Sequence, residues 1–196
     1  MIDMDYWTKG VGFLCGVDEV GRGPLAGPVV AASVILPEGC TLKGIKDSKR
    51  LSYEAREELF GKVLKRAISV GLGIVEPLLI DRINILQATY EAMRRAILSM
   101  RVFPEYILVD GKPIPGLPLP QKGIVKGDAL SISIGAASIV AKVVRDRIME
   151  MYDLIFPQYG FARNKGYGTR EHIEALFRYG PCPIHRRSFK PVSQLS

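Results

Sequence analysis

The sequence has little cysteine and almost no histidine. Its three cysteines, Cys15, Cys40 and Cys182, are widely spaced and form no Cys-x-x-Cys pair. This excludes a disulfide framework and offers no zinc-site spacing, so a reducing, cytoplasmic location is expected. The two histidines, His172 and His185, are read as local structural residues, His172 on the polar helix after Thr169 and His185 positioning the basic tail. Long apolar runs are also missing. The longest apolar and small stretch, residues 27–36, is about half of the roughly 18 residues a membrane span needs, so no membrane association is expected. Asp3 and Asp5 stand where an export signal would carry positive charge and then an apolar core. With no internal repeat and no low-complexity linker, one domain is expected over residues 1–196, with a short basic tail from about residue 180.

What is present is an apolar fraction of 47% with 24% charged residues, the balance of a folded chain. The net charge is +7 and the pI about 9.4, which points to an anionic partner. From Ala162 onward there are seven basic residues (Arg163, Lys165, Arg170, Arg178, Arg186, Arg187 and Lys190) against two acids, Glu171 and Glu174. The C-terminal segment is therefore the expected polyanion contact.

Residues 13–17 and 29–36 are short β-rich runs separated by a Gly-Arg-Gly-Pro turn signal and read as consecutive strands. Ser52 precedes an acidic first turn and a helical pattern through Leu59, Val63 and Ala67, so it is the expected N-cap. A strand follows at 72–75, then a helix at 84–100 and a buried strand at 106–109. Four prolines between Lys112 and Gln121 mark a loop, and a strand at 123–125 comes next. Residues 131–152 form an apolar helix with small residues first, and a last helix spans 169–179. Met93, Met100, Met149 and Met151 are read as core fillers. This alternation implies an α/β domain on a mixed sheet.

Acids occur where three of these strands stop: Asp18 and Glu19, Asp110, and Asp128. Strand ends in open α/β sheets are where sites assemble. Clustered carboxylates repel strongly, by roughly 4 kcal/mol for two charges about 4 Å apart at an effective dielectric near 20, and all-oxygen donors suit hard ions such as magnesium and manganese. Ordinary turn acids remain an alternative, since Asp is favoured at turns. Glu19 carries a geometric condition, because adjacent strand residues point to opposite faces unless the strand has ended or bulged.

The words around these acids are specific. Cys15-Gly-Val-Asp-Glu-Val-Gly-Arg-Gly-Pro-Leu-Ala-Gly-Pro-Val-Val-Ala-Ala32 resembles the N-terminal signature of the ribonuclease HII, or type 2 ribonuclease H, family. Asp47-Ser48-Lys49 with Leu51-Ser52, Val109-Asp110-Gly111, Lys126-Gly127-Asp128, Ala136 through Lys142 with Arg145-Asp146-Arg147, Gly166-Tyr167-Gly168-Thr169, and His185-Arg186 with Ser188-Phe189 resemble its remaining blocks, in order.

The resemblance implies a ribonuclease H-like fold, a mixed central β-sheet flanked by helices. It also implies an endonuclease that cuts the RNA strand of RNA/DNA hybrids, and DNA containing ribonucleotides, leaving 3′-hydroxyl and 5′-phosphate ends. Metal binding and catalysis are expected at Asp18, Glu19, Asp110 and Asp128, with Mn2+ or Mg2+ as cofactor and two ions during catalysis. By the same resemblance, Gly21, Arg22 and Gly23 read the 2′-hydroxyl that separates RNA from DNA, and Tyr167 packs on the sugar after the ribonucleotide. Lys49, Lys142, Arg145 and Arg163 are candidate phosphate contacts, with Asp146 pairing Lys142 one helical turn away. A monomer is expected, and a recruiting partner such as a replication clamp cannot be read from the sequence. The chain ends soon after Ser188-Phe189 compared with longer family members, so lower substrate affinity is expected. Two other functions compete: a DNA-only phosphoryl transferase on the same fold, and a hybrid-binding module that does not cut.

Overall fold

A computed structural model describes residues 1–45 and 51–195. Five strands form one mixed sheet in the order β3-β2-β1-β4-β5. β1 (Leu14–Val20), β2 (Val29–Ile35) and β3 (Ser69–Val75) are antiparallel neighbours, whereas β4 (Tyr106–Asp110) and β5 (Gln121–Ile124) run parallel to β1. β2 is apolar at nearly every position because both faces of the sheet are covered. Its alternation sends Val30, Ala32 and Val34 to one side, and Val29, Ala31 and Ile35 to the other.

α5 (Ile132–Ile155) covers the first face, with Ile134, Ala137 and Ala141 packed among Leu14, Val30 and Leu108. α2 (Tyr53–Arg66) adds Leu59 and Val63 to that core, and Ser52 caps it by accepting from the Ala55 amide at 3.2 Å. α3 (Pro77–Leu98) covers the second face with Ala88, Ala92 and Ala96. The small residues let helix and sheet approach closely. At Gly16 a Cβ would lie 2.0 Å from the Ser133 carbonyl carbon, so a side chain there would lift the start of α5 off β1. That start is held by α1 (Ile2–Trp7). The buried Asp3 carboxylate accepts from the Ser131 hydroxyl and from the Ile132 and Ser133 amides, each at 3.0 Å. This is a charged N-cap supplied from the other end of the chain.

Several boundaries differ from the sequence-based expectation. β1 extends through Val20, so Asp18 and Glu19 lie inside the strand. α3 begins at Pro77, and Asn84, at φ 67°, interrupts it. The Asn84 side chain accepts from the Leu86 and Gln87 amides, so the apolar pattern that starts there belongs to the second half of a broken helix. β5 starts at Gln121 because its pairing begins opposite Ile107. Met93, Met100 and Met149 are core residues, but Met151 is 66% exposed. α4 (Gly127–Leu130), α6 (Phe161–Asn164) and α7 (Arg170–Tyr179) complete the fold. Among the described residues, no helix is long and apolar enough to cross a membrane.

Candidate active site

The site opens where β1 loses one of its partners. Parallel pairing with β4 stops at Val17 and Val109, while antiparallel pairing with β2 continues to Val20 and Val30. Beyond Val17 the β4 side of β1 is unpaired, and a cavity of about 380 Å³ forms at the carboxyl ends of the two parallel strands. Asp18, Glu19 and Asp110 all line it. Glu19 thus lines the same cavity as Asp18 although the strand has not ended there. Asp18 folds back to accept its neighbour's own amide, Glu19 N to Asp18 Oδ1, at 2.8 Å.

The carboxylates perturb one another. Burial is the main cause that holds Asp18 well above the usual carboxylate range. Glu19 and Asp110 add to it, against hydrogen bonds from Ser138 and the Glu19 amide. Glu19 is also raised by burial, with Arg22 opposing and Asp110 adding. Arg22 Nη1 stands 3.4 Å from Glu19 Oε1. Asp110 accepts from the Gly127 amide at 2.7 Å. The next residue, Asp128, is buried in the first turn of α4 and does not appear among the residues lining the cavity. Among the described residues, no three His, Cys, Asp or Glu side chains stand close enough together to hold one metal ion. The chemistry of the donor set nevertheless fits a hard divalent ion. Asp18, Glu19 and Asp110 offer carboxylate oxygens, and a cation would relieve the repulsion that Glu19 and Asp110 add to burial at Asp18.

Lys142 and Arg56 line the same cavity as the acids. Lys142 Nζ bonds Asp146 Oδ1 at 2.7 Å, the pairing expected from their spacing, and Arg56 approaches the other oxygen at 3.8 Å. Sequence reasoning missed Ser138 and Arg56. Ser138 had a legible signal, since it is the lone hydroxyl in the apolar run 136–141 and lies one turn before Lys142. Arg56 had none.

The Gly21–Gly23 turn and Tyr167 form a neighbouring wall. Tyr167 is 43% exposed and lines the cavity, and a Cβ on Gly23 would lie 3.7 Å from its ring. Gly21 has φ +91°, and a Cβ there would lie 2.2 Å from Arg145 Nε, so conformation and space both require glycine.

Arg145 corrects an expectation. It is fully buried, and its guanidinium donates to the carbonyls of Pro28 (3.0 Å), Lys165 (2.9 Å) and Ala26 (3.1 Å). Its donors are engaged by the chain itself, so it supports the turn and does not meet phosphate. Arg163 lies on the surface, paired with Glu171 at 3.1 Å, and does not line the cavity. Lys49 lies outside the described residues. His172, expected on a polar face, is fully buried beside His185.

Comparison with known proteins identifies the family of this chain. The family model described as Ribonuclease HII matches residues 15–192. The chain is 58% identical over 183 residues to Ribonuclease HII of Caldanaerobacter subterraneus, covering 93% of this chain and 76% of that one. Its fold superposes on the ribonuclease H2 of Pyrococcus horikoshii with a TM-score of 0.77 at 30% identity, over 93% of this chain and 96% of the other. The ribonuclease HII in the PCNA:RNase HII complex of Archaeoglobus fulgidus gives a TM-score of 0.78 at 28% identity, over 91% and 95%. The chain belongs to the ribonuclease HII family, metal-dependent endonucleases that cleave RNA in RNA/DNA hybrids.

Proposed function

We propose that this protein cuts the RNA strand of RNA/DNA hybrids and also cuts on the 5′ side of ribonucleotides embedded in duplex DNA, leaving 3′-hydroxyl and 5′-phosphate ends. The observation that carries this is one cavity lined by Asp18, Glu19 and Asp110 together with Lys142, Arg56 and Tyr167. Acids without a neighbouring cationic wall would repel a phosphodiester. With Lys142 and Arg56 in the same lining, the backbone of the nucleic acid has cationic partners beside the acids.

Asp18, Glu19, Asp110 and Asp128 are the proposed ligands of two Mg2+ or Mn2+ ions. Ions held there supply Lewis acidity to the phosphodiester and lower the pKa of the attacking water. The chain's own groups do the rest. Ser138 and the Glu19 amide orient the Asp18 carboxylate, and the Gly127 amide orients Asp110. The Gly21–Gly23 turn presents backbone and the Arg22 donors to the ribose, and the exposed Tyr167 ring packs on the next sugar. A sugar lacking the 2′-hydroxyl leaves that turn without its partner, which is the physical basis of discrimination.

The test uses matched duplexes with and without one ribonucleotide, incubated with Mg2+, with Mn2+ and with chelator. Metal-dependent cleavage on the 5′ side of the ribonucleotide, with the all-DNA duplex intact, is the expected result. Equal cleavage of both duplexes would favour a DNA-directed transferase, and salt-sensitive binding without product would favour a binding module. The Archaeoglobus fulgidus protein is described in complex with PCNA. A sliding clamp is accordingly the partner proposed for a monomeric enzyme, and co-elution with the cognate clamp in size-exclusion chromatography tests both points.

A further inference from the structure

The segment around His185 is a structural clasp on both walls of the proposed ribose site. Ile184 O accepts from the Gly27 amide at 2.9 Å, the Arg186 amide donates to Leu25 O at 2.8 Å, and Ala26 and His185 form a β-bridge. The Arg186 side chain is fully buried. Its guanidinium donates to Gly21 O, to Arg22 O at 2.9 Å and, through Nε, to Gly27 O at 3.0 Å. The nearby Asp81 is engaged by the Arg187 and Ser188 amides and the Ser188 hydroxyl. Burial, then the neighbouring Arg145, push Arg186 down to about 9, with Asp81 opposing, so it stays charged at neutral pH.

A buried cation devoted to the carbonyls of one turn is a costly arrangement for stability alone. Its geometric consequence is specific. The peptide bonds after Gly21 and Arg22 are trans, so each N–H points opposite to its C=O. With the carbonyls of Gly21 and Arg22 turned to Arg186, the amides of Arg22 and Gly23 face the other way, as donors for a ligand.

The adjacent residue acts on the second wall. His172 Nδ1 donates to Tyr167 O at 2.8 Å, which leaves its Nε2 as acceptor. His185 Nε2 donates to that atom at 3.0 Å, and His185 Nδ1 accepts from the Cys182 amide at 3.0 Å. Three hydrogen bonds in series thus fix one tautomer on each ring and tie the Tyr167 backbone to the 182–186 segment.

We propose that Arg186 and the His185–His172 pair are positioning residues for ribonucleotide recognition: Arg186 orients the Gly21–Gly23 amides, and the imidazole pair holds Tyr167 in place. This rests on the reading above that the turn and Tyr167 recognise the ribose. The test measures binding of two duplexes, one bearing a single ribonucleotide and one all-DNA, to the wild type, Arg186→Lys, His172→Ala and His172→Gln. Thermal unfolding and circular dichroism are recorded for each.

Arg186→Lys keeps the charge but lacks the planar fork. It is expected to lose about tenfold or more of the ribonucleotide preference, with all-DNA affinity changed less than about twofold. His172→Ala is expected to lose preference in the same way, and His172→Gln, which can both donate and accept, to restore much of it. If Arg186→Lys does not fold, the two His172 variants carry the test with Arg186 in place. Folded variants that keep the wild-type preference would overturn the proposal. A wild type with no preference would instead overturn the reading of the ribose site.

Discussion

Removing one of the proposed catalytic carboxylates should stabilise this protein when no metal is present. Asp18 is 5% exposed, and burial, Glu19 and Asp110 together hold its carboxyl well above the usual range. A carboxyl whose folded pKa lies above its unfolded value of 3.8 contributes stability below that value and loses it as pH rises through the folded pKa. At neutral pH without metal the folded state therefore bears either the charge or the cost of the extra proton. Asp18→Asn removes the ionisation and keeps the shape. Relief of one like-charge interaction is worth roughly 3 kcal/mol at about 5 Å and an effective dielectric near 20. Weakening the charge-assisted bonds from Ser138 and the Glu19 amide gives back about 1–2 kcal/mol. The net gain is about 1–2 kcal/mol, or about 2–8 °C in Tm for a chain of this size. Calorimetry in chelator and again with Mn2+ measures it. The variant should melt above wild type in chelator, and the difference should shrink or reverse with Mn2+, because only the wild type gains full binding stabilisation. A variant that melts below wild type in chelator would refute this reasoning.

Three further outcomes are expected. Asp3→Ala leaves the Ser131 hydroxyl and two amides at the start of α5 without their charged acceptor, which should cost about 3 kcal/mol and roughly 6–12 °C in Tm by calorimetry. Burial, then His172, push His185 down from 6.5 to about 4. The unfolded chain therefore binds the proton first, and stability is full above about pH 6.5 and falls by about 3 kcal/mol as pH drops toward 4. Urea denaturation at pH 7.5 and pH 5 should show about 2 kcal/mol of this loss in the wild type and a smaller one in His185→Gln; equal losses would contradict it. Lys142→Ala should weaken duplex binding and reduce the slope of log affinity against log salt by about 1, measured by fluorescence anisotropy.

The mixed sheet and the acidic crevice were legible because both depend on local signals. The apolar β-rich runs at residues 13–17 and 29–36 marked the two strands, and three of the four chosen acids, Asp18, Glu19 and Asp110, line the cavity, while Asp128 does not. Glu19 could not be settled that way, because its placement depends on where β4 stops pairing with β1, between Val17 and Val109. Arg145 was misread for a similar reason. It was grouped with Lys142 as a phosphate contact, but the carbonyls that bury it come from Ala26, Pro28 and Lys165. Asp3 was informative in the sequence only for what it excluded, and its role appears when α1 meets the start of α5. His172 and His185 looked like separate polar residues, since nothing in a 13-residue separation shows that their rings touch. In each case the sequence pattern reported periodicity within an element, while the missing information was which distant backbone groups that element would meet.

The central claim is that the Asp18 crevice cuts nucleic acid at ribonucleotides. The most direct measurement is single-turnover cleavage of a duplex bearing one ribonucleotide, in Mn2+, by wild type and Asp18→Asn, with duplex binding followed in parallel. The wild type should cut on the 5′ side of the ribonucleotide, and Asp18→Asn should lose at least about 100-fold in rate while binding within a few-fold of wild type. Cleavage by Asp18→Asn at the wild-type rate would place the chemistry elsewhere in the molecule.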